Sequence, residues 1–428
     1  MKLYARMAYA GALLLALTAG LAHAADAPKL PSEDLLSNPQ KAARRFDEFV
    51  YPALERKAEA DEKVSRVRKE LAARKLDGVV IATERNLNWL TAGGKDNVVW
   101  AQRETAVKLL VTPEKLYLIA DNIEGPRVMT EELTGLGYEW VRYSWYAKES
   151  DALHPLIRGK KIAFDLPAAA AAYQKEAASS AIDFQDVYFP ITAGELKKYR
   201  WLGRKTADVI EQVAQMVRPG MTERDVQYLL ARELWYWDIY PTVLLTAADD
   251  RLLTYRHPVV VGKTLQNAIA LNVCARRWGL VVSTTRIVYF GEPEAGLKKA
   301  WTDGSTVAAA MWAASRPGNS LGEVVRTAQK AYASVGVKDE WKLHHQGGPI
   351  LTLERLFLAM PDDKTPIKPG MVLAWNPTVQ GSKFEDTVVV KPDGTLENLT
   401  ASKNWPTVKV TVDKTTFDIP VFLVRARP

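Results

Sequence analysis

Apolar and polar positions change their period several times along this chain, and each change marks an expected element. A charged stretch ending near Lys75 has helical character, and Leu71, Leu76 and Gly78 suggest a helix-to-strand turn. The unbroken apolar run Val79-Val80-Ile81-Ala82 reads as a short buried strand. Residues 106–111 and 116–120, separated by Thr112-Pro113-Glu114-Lys115, predict a hairpin. Another strand is expected over 161–166, stopped by Pro167, with a helix beginning through 168–178. Helix and strand alternate throughout this half, which predicts an α/β domain to about residue 190.

The character then changes. Thr192 and Glu195 stand at capping-box spacing, where the hydroxyl and the carboxylate can each take one orphan amide. Leu196, Tyr199, Ile210, Val213 and Val217 give the following long helix an apolar side, and Pro219-Gly220 ends it. A second box, Thr222 with Asp225, opens a helix through Val226, Leu229, Leu230 and Leu234. Strands are expected over 267–273, 280–288, 372–375 and 387–390, a helix over 321–332, and a turn over 391–394. There is no residue-level repeat and no phosphate-cradling glycine loop.

The N-terminus changes the picture. Lys2 and Arg6 precede an Ala/Leu/Gly run, and Ala22-His23-Ala24 offers a small-x-small site, the three parts of an export signal. The run is too short to span about 30 Å of hydrocarbon comfortably. Residues 1–24 are therefore read as a signal peptide cleaved near Ala24, with the mature protein in the periplasm or secreted and without stable membrane insertion. Residues 25–59 read as a leader, flexible over 25–40. The remaining chain is long enough for two domains. A net charge of +7 is interspersed rather than clustered, which gives no stripe for nucleic acid. The single cysteine, Cys274, excludes an internal disulfide.

Candidate chemistry lies in four scattered patches: Tyr255-Arg256-His257-Pro258; Asn272 with Ser283 and Arg286; His344-His345-Gln346-Gly347-Gly348; and Asn376-Pro377 through Lys383, Glu385 and Asp386. Taken singly, each has a structural explanation: a histidine before proline, a glycine turn, a strand stop.

Their order is similar to the pita-bread metallohydrolases, the family of methionine aminopeptidase, aminopeptidase P, prolidase and creatinase. Asn86-Leu87-Asn88-Trp89-Leu90-Thr91 resembles the N-terminal signature of that family, with Trp for Tyr and Ala92 for Gly. Pro219-Gly220-Met221-Thr222-Glu223 resembles the start of its catalytic domain, and Glu385-Asp386-Thr387 before Lys391-Pro392-Asp393-Gly394 its terminal motif. The resemblance implies an α+β protein, with a creatinase-like α/β domain over 60–190 and a pita-bread domain with a C-terminal extension over 191–428. It also implies two adjacent metals held by two Asp, one His and two Glu. Those ligands fall here on Asn272, Ser283, His345, Asn376 and Glu385, so one carboxylate of four remains; His257 matches a substrate-side histidine. Two dications about 3.5–4 Å apart need bridging negative charge, so loss of the two-metal site is expected. The expected cofactor is none, with a single divalent metal on His345 and Glu385 as the open alternative.

Two functions follow. In the first, the cleft binds a peptide or small polar ligand without hydrolysing it, through Asn272, Ser283, Arg286, Asn376 and Lys383. In the second, a divergent hydrolase uses one metal or a His/Glu pair, with His257, His344, His345 and Glu385 as catalytic groups and Arg286 or Lys383 as stabiliser. A third reading is a filled cleft and a scaffold. A homodimer is expected by analogy only. Because strand neighbours point opposite ways, one of His344 and His345 is expected to face the cleft.

Overall fold

The computed structural model describes residues 30–33, 51–96, 98–99 and 103–427. The expected export segment lies outside them, as does most of the leader. Where the leader is described it is docked: Leu30 is buried, Pro31–Glu33 form a 3-10 turn, and the Ser32 amide donates to the buried Glu233 carboxylate at 3.2 Å. These four residues are therefore a packed strap, which corrects the flexible reading for this stretch.

Helix α1 (Ala53–Arg74) buries Val64, Val67 and Leu71 and is closed by Lys75 in the left-handed region. It leads into β1 (Gly78–Thr83), buried at every position, and the short helix α2 (Glu84–Leu90). Strands β2 (Glu104–Val111), β3 (Leu116–Asp121), β4 (Tyr138–Tyr143), β5 (Lys161–Phe164) and β6 (Ala178–Ala181) complete a sheet of order β4-β3-β2-β1-β5-β6. The unbroken apolar run of β1 suits its interior place, between an antiparallel β2 and a parallel β5. The expected β2–β3 hairpin is present. The helix expected over 168–178 is shorter, α3 (Pro167–Ala172), and the chain then forms the edge strand β6.

The second domain opens with α4 (Ala193–Met216) and α5 (Glu223–Tyr236), each started by the anticipated capping box. Strands β7 (Tyr240–Ala248), β8 (Ala268–Arg277) and β9 (Leu280–Phe290) form an antiparallel meander. Helices α6 (Ala295–Ala314) and α7 (Leu321–Ser334) follow. A second set comprises β10 (Gly347–Pro349), β11 (Val372–Trp375), the small pair β12 (Thr378–Val379) and β13 (Ser382–Lys383), β14 (Asp386–Val390) and β15 (Leu396–Asn398). The C-terminal extension is a hairpin, β16 (Thr407–Val412) and β17 (Thr415–Pro420), and then β18 (Leu423–Arg425), which pairs parallel to β9. The sheets β18-β9-β8-β7 and β10-β11-β14-β15 meet where the Thr285 amide donates to the Glu385 carbonyl at 3.0 Å. The Thr387 hydroxyl stitches the same seam, accepting from the Ser283 amide at 2.8 Å and donating to the Ser283 carbonyl at 3.0 Å. Among the described residues no helix is long and apolar enough to cross a membrane.

The two domains are joined by a buried ionic cluster. Lys63 of α1 pairs with Glu59 at 2.6 Å and with Glu195 of α4 at 2.9 Å, and Lys198 of α4 pairs with Glu59 at 2.8 Å. Glu195 thus caps its own helix and anchors the neighbouring domain.

Candidate functional site

The register of β8 and β9 builds the floor of the site. Asn272 lies opposite Thr285 and Cys274 opposite Ser283, so by the two-residue period of a strand these four side chains share one face. The seam to the second sheet brings Glu385 onto that face, and β11 and β13 deliver Asn376 and Lys383 beside it.

Glu385 is the hub. One carboxylate oxygen accepts from Asn272 Nδ2 at 2.6 Å and Thr285 Oγ1 at 2.7 Å, and pairs with Lys383 Nζ at 3.2 Å. The other accepts from Arg355 Nη2 at 2.9 Å. The same guanidinium reaches Ser283 Oγ and Asn376 Oδ1, each at 3.1 Å. Burial alone would push the Glu385 carboxyl upward; Lys383 and Arg355 override that and hold it well below the usual carboxylate range. Two side-chain cations therefore surround the one remaining carboxylate. Beneath the floor, burial raises the Cys274 thiol to about 12.

Three histidines stand beside this hub. His344 Nε2 lies 3.2 Å from His257 Nε2 and 3.3 Å from Asn376 Nδ2, and His344 Nδ1 lies 2.9 Å from Thr378 Oγ1. His345 packs against both, with ring centroids 4.6 Å from His344 and 5.6 Å from His257. Burial, Lys383 and the neighbouring imidazoles lower His344 to about 2; burial and Arg355 lower His345 to about 4. Burial and Lys383 lower His257 also. All three are neutral at pH 7.

Loops are held in place for this purpose. Glu223, the last residue of Pro219-Gly220-Met221-Thr222-Glu223, accepts from the amides of Ala248 and Val261 at 3.0 and 3.1 Å and from Arg251 Nε at 2.9 Å. It thereby pins both ends of the loop that carries His257. Arg256 pairs with Glu340, which fixes that loop to the turn preceding His344. Gly347 sits at φ +105°, and a Cβ there would meet the Ala374 carbonyl at 2.1 Å, so glycine is required where the histidine segment turns into β10.

The structure brings together Asn272, Ser283, Asn376, Lys383 and Glu385, with His257, His344 and His345 alongside. It does not bring Arg286, whose guanidinium lies on the opposite face of β9 and donates to Asp386 at 2.8 Å and to the Thr400 carbonyl at 3.0 Å. Arg286 is a buried structural ion pair, a correction that strand alternation explains. The expectation that only one of His344 and His345 faces the cleft is also corrected. They precede β10 in irregular backbone, and both rings turn to His257. Arg355 was not found from sequence. It lies on the irregular loop between β10 and β11, outside every motif.

Two metals do not fit this arrangement. Asn272, Ser283 and Asn376 supply no charge, both oxygens of Glu385 hold protein donors, and a guanidinium bridges Ser283, Asn376 and Glu385. A single divalent metal stays compatible with the arrangement through His345, while both oxygens of Glu385 hold protein donors. Among the described residues, the only group of three or more candidate ligand atoms within mutual reach is His257, His344 and His345.

A creatinase-type first domain followed by a pita-bread domain with an incomplete metal-ligand set defines the class. The Creatinase/Prolidase N-terminal domain model matches residues 63–188 and the metallopeptidase family M24 model matches residues 197–392, so the chain belongs to the M24/creatinase peptidase superfamily. Among solved structures it is similar to dipeptidase PepE from Mycobacterium ulcerans, with TM-score 0.70, 16% identity, 86% of this chain and 99% of that chain covered. It is also similar to the prolidase from Pyrococcus horikoshii OT3, with TM-score 0.67, 17% identity, and coverage of 80% and 99%. The N-terminal domain of FACT complex subunit SPT16 from chickpea shares the fold too, with TM-score 0.62, 12% identity, and coverage of 81% and 97%. These identities speak to the fold alone. No curated protein matches the sequence.

Proposed function

We propose that this chain is an exported member of the superfamily that lacks two-metal hydrolysis and binds a peptide or small polar ligand at its cleft. The observation that carries the reading is Arg355, whose guanidinium is bonded to Ser283, Asn376 and Glu385, three of the positions where the family resemblance puts metal ligands. The Glu385 carboxylate, held ionised by two cations, is a poor proton donor at neutral pH. A His344 pKa near 2 makes a weak base, far from the value near the working pH that general acid–base catalysis favours. Both facts argue against the His/Glu catalytic alternative.

Lys383 and Arg355 outnumber Glu385 by one charge, so a ligand carboxylate is favoured over an amine. The recess lined by Tyr255, Arg256, Asn272, Thr285, Thr378 and Lys383 holds about 20 Å³, room for about one water. A peptide would therefore lie over the rim, at Tyr255, His257 and Lys383. That small volume also favours a second reading, a closed cleft in a scaffold protein. Calorimetric titration of the mature chain with X-Pro dipeptides, free and C-terminally amidated, separates the two. The binding reading expects saturable heat that weakens on amidation and no hydrolysis with added manganese, cobalt or zinc. Absence of binding to any peptide would favour the scaffold, and metal-dependent cleavage would overturn both.

A further inference from the structure

Three of the five histidines in the chain converge on one spot at the rim of the cleft, and the hub around Glu385 touches their nitrogens only where Asn376 Nδ2 lies 3.3 Å from His344 Nε2. Their candidate ligand atoms all lie within 4.8 Å of one another. A tetrahedral zinc with Zn–N near 2.0–2.1 Å sets neighbouring nitrogens about 3.3–3.4 Å apart. His257 Nε2 and His344 Nε2, 3.2 Å apart, already stand at that spacing.

The surroundings orient the pair. The Thr378 hydroxyl donates to the Asn376 carbonyl at 3.2 Å, so it accepts from His344 Nδ1 at 2.9 Å. The proton of His344 thus sits on Nδ1, and the lone pair of Nε2 points at His257. This is the outer-shell contact that fixes a ligating imidazole. His345 Nδ1 is buried with no hydrogen-bond partner, an imidazole nitrogen in want of something to bond.

We propose that His257, His344 and His345 form a three-imidazole site for a single d-block cation of the zinc class, with its fourth position open at the cleft rim. Imidazole donors select zinc, copper or nickel over magnesium, calcium or manganese, which prefer oxygen. The site shares His345 with the ligand set that the family resemblance implies, and uses none of that set's four carboxylate positions. The charges of Lys383 and Arg355 oppose a dication and Glu385 offsets only one of them, so Lys383 sets the affinity. The open position suits water or the carboxylate of a ligand lying over Tyr255 and Lys383.

Zinc calorimetry and the visible spectrum of the cobalt-loaded chain test this. One equivalent per chain is expected, with the intense absorption of tetrahedral cobalt and no competition from magnesium. His257→Ala and His344→Gln should each weaken binding at least about tenfold, and Lys383→Met should tighten it. His257 is exposed, so its variant keeps the test valid if changes at the buried His344 impair folding. Affinity unchanged in His257→Ala, or no zinc beyond that taken by a variant lacking all three histidines, would overturn the proposal and leave a plain histidine–histidine hydrogen bond. Two equivalents that depend on Glu385 would instead contradict the proposed function, so the two failures are distinguishable.

Discussion

At the scale of single residues, one arginine decides the chemistry. Removing one partner of a buried ion pair leaves an uncompensated charge and costs about 3–5 kcal/mol. Glu385 keeps Lys383 after Arg355→Met, so a loss near the lower end, about 3 kcal/mol, is expected in denaturant unfolding. Adding Glu385→Gln should recover much of it, and simple additivity of the two losses would contradict the pairing. This pairing was only half legible in the sequence. Glu385 stood in a recognisable motif, and Asn272, Ser283 and Asn376 were found because they sit where charged groups were expected. Arg355 comes from a loop without periodicity or motif, and contact between residues 355 and 385 is a product of tertiary closure. Arg286 misled for the opposite reason: its strand was right, but the face on which it lies depends on a register that the local pattern does not state.

At the scale of elements, the strongest signals were the capping boxes and the apolar runs. Thr192 with Glu195 and Thr222 with Asp225 start helices where the spacing placed them, because their reciprocal bonds need only four residues. Strands β11 and β14 were placed within a residue. Strand β6, rich in Ala and Ser, is not signalled by the local pattern, whose expected helix over 168–178 reaches only its first residue, because the strand rests on pairing with β5 rather than on its own propensity. The interface between α1 and α4 carries a pH prediction. Burial would raise the Glu59 carboxyl, but Lys63 and Lys198 prevail and lower it from about 4.5 to about 2. A carboxylate with a depressed folded pKa stabilises the fold above its unfolded value, and that stability is lost as pH falls. Stability should therefore drop between about pH 4.5 and 2, and the gap between the native chain and Glu59→Gln should narrow over that window in unfolding curves. A gap independent of pH would show that the cluster does not link the domains electrostatically.

At the scale of the whole molecule, a two-domain peptidase architecture has kept its frame while its centre has changed charge carriers. The frame rests on contacts that need no metal: the Thr387 stitch between sheets, the Glu223 anchor of the His257 loop, and the closing of the β9 edge by β18. The negative charge that would draw in metal ions is reduced to Glu385, and Arg355 and Lys383 neutralise it internally. The most direct test is metal stoichiometry by mass spectrometry on two proteins, each equilibrated with manganese or cobalt and desalted. One is the unmodified chain; the other carries Asn272→Asp, Ser283→Asp, Asn376→Glu and Arg355→Ala together. The account predicts no manganese on the former and restored binding, near two equivalents, on the latter. Two tightly held manganese ions on the unmodified chain, lost in Glu385→Ala, would contradict it.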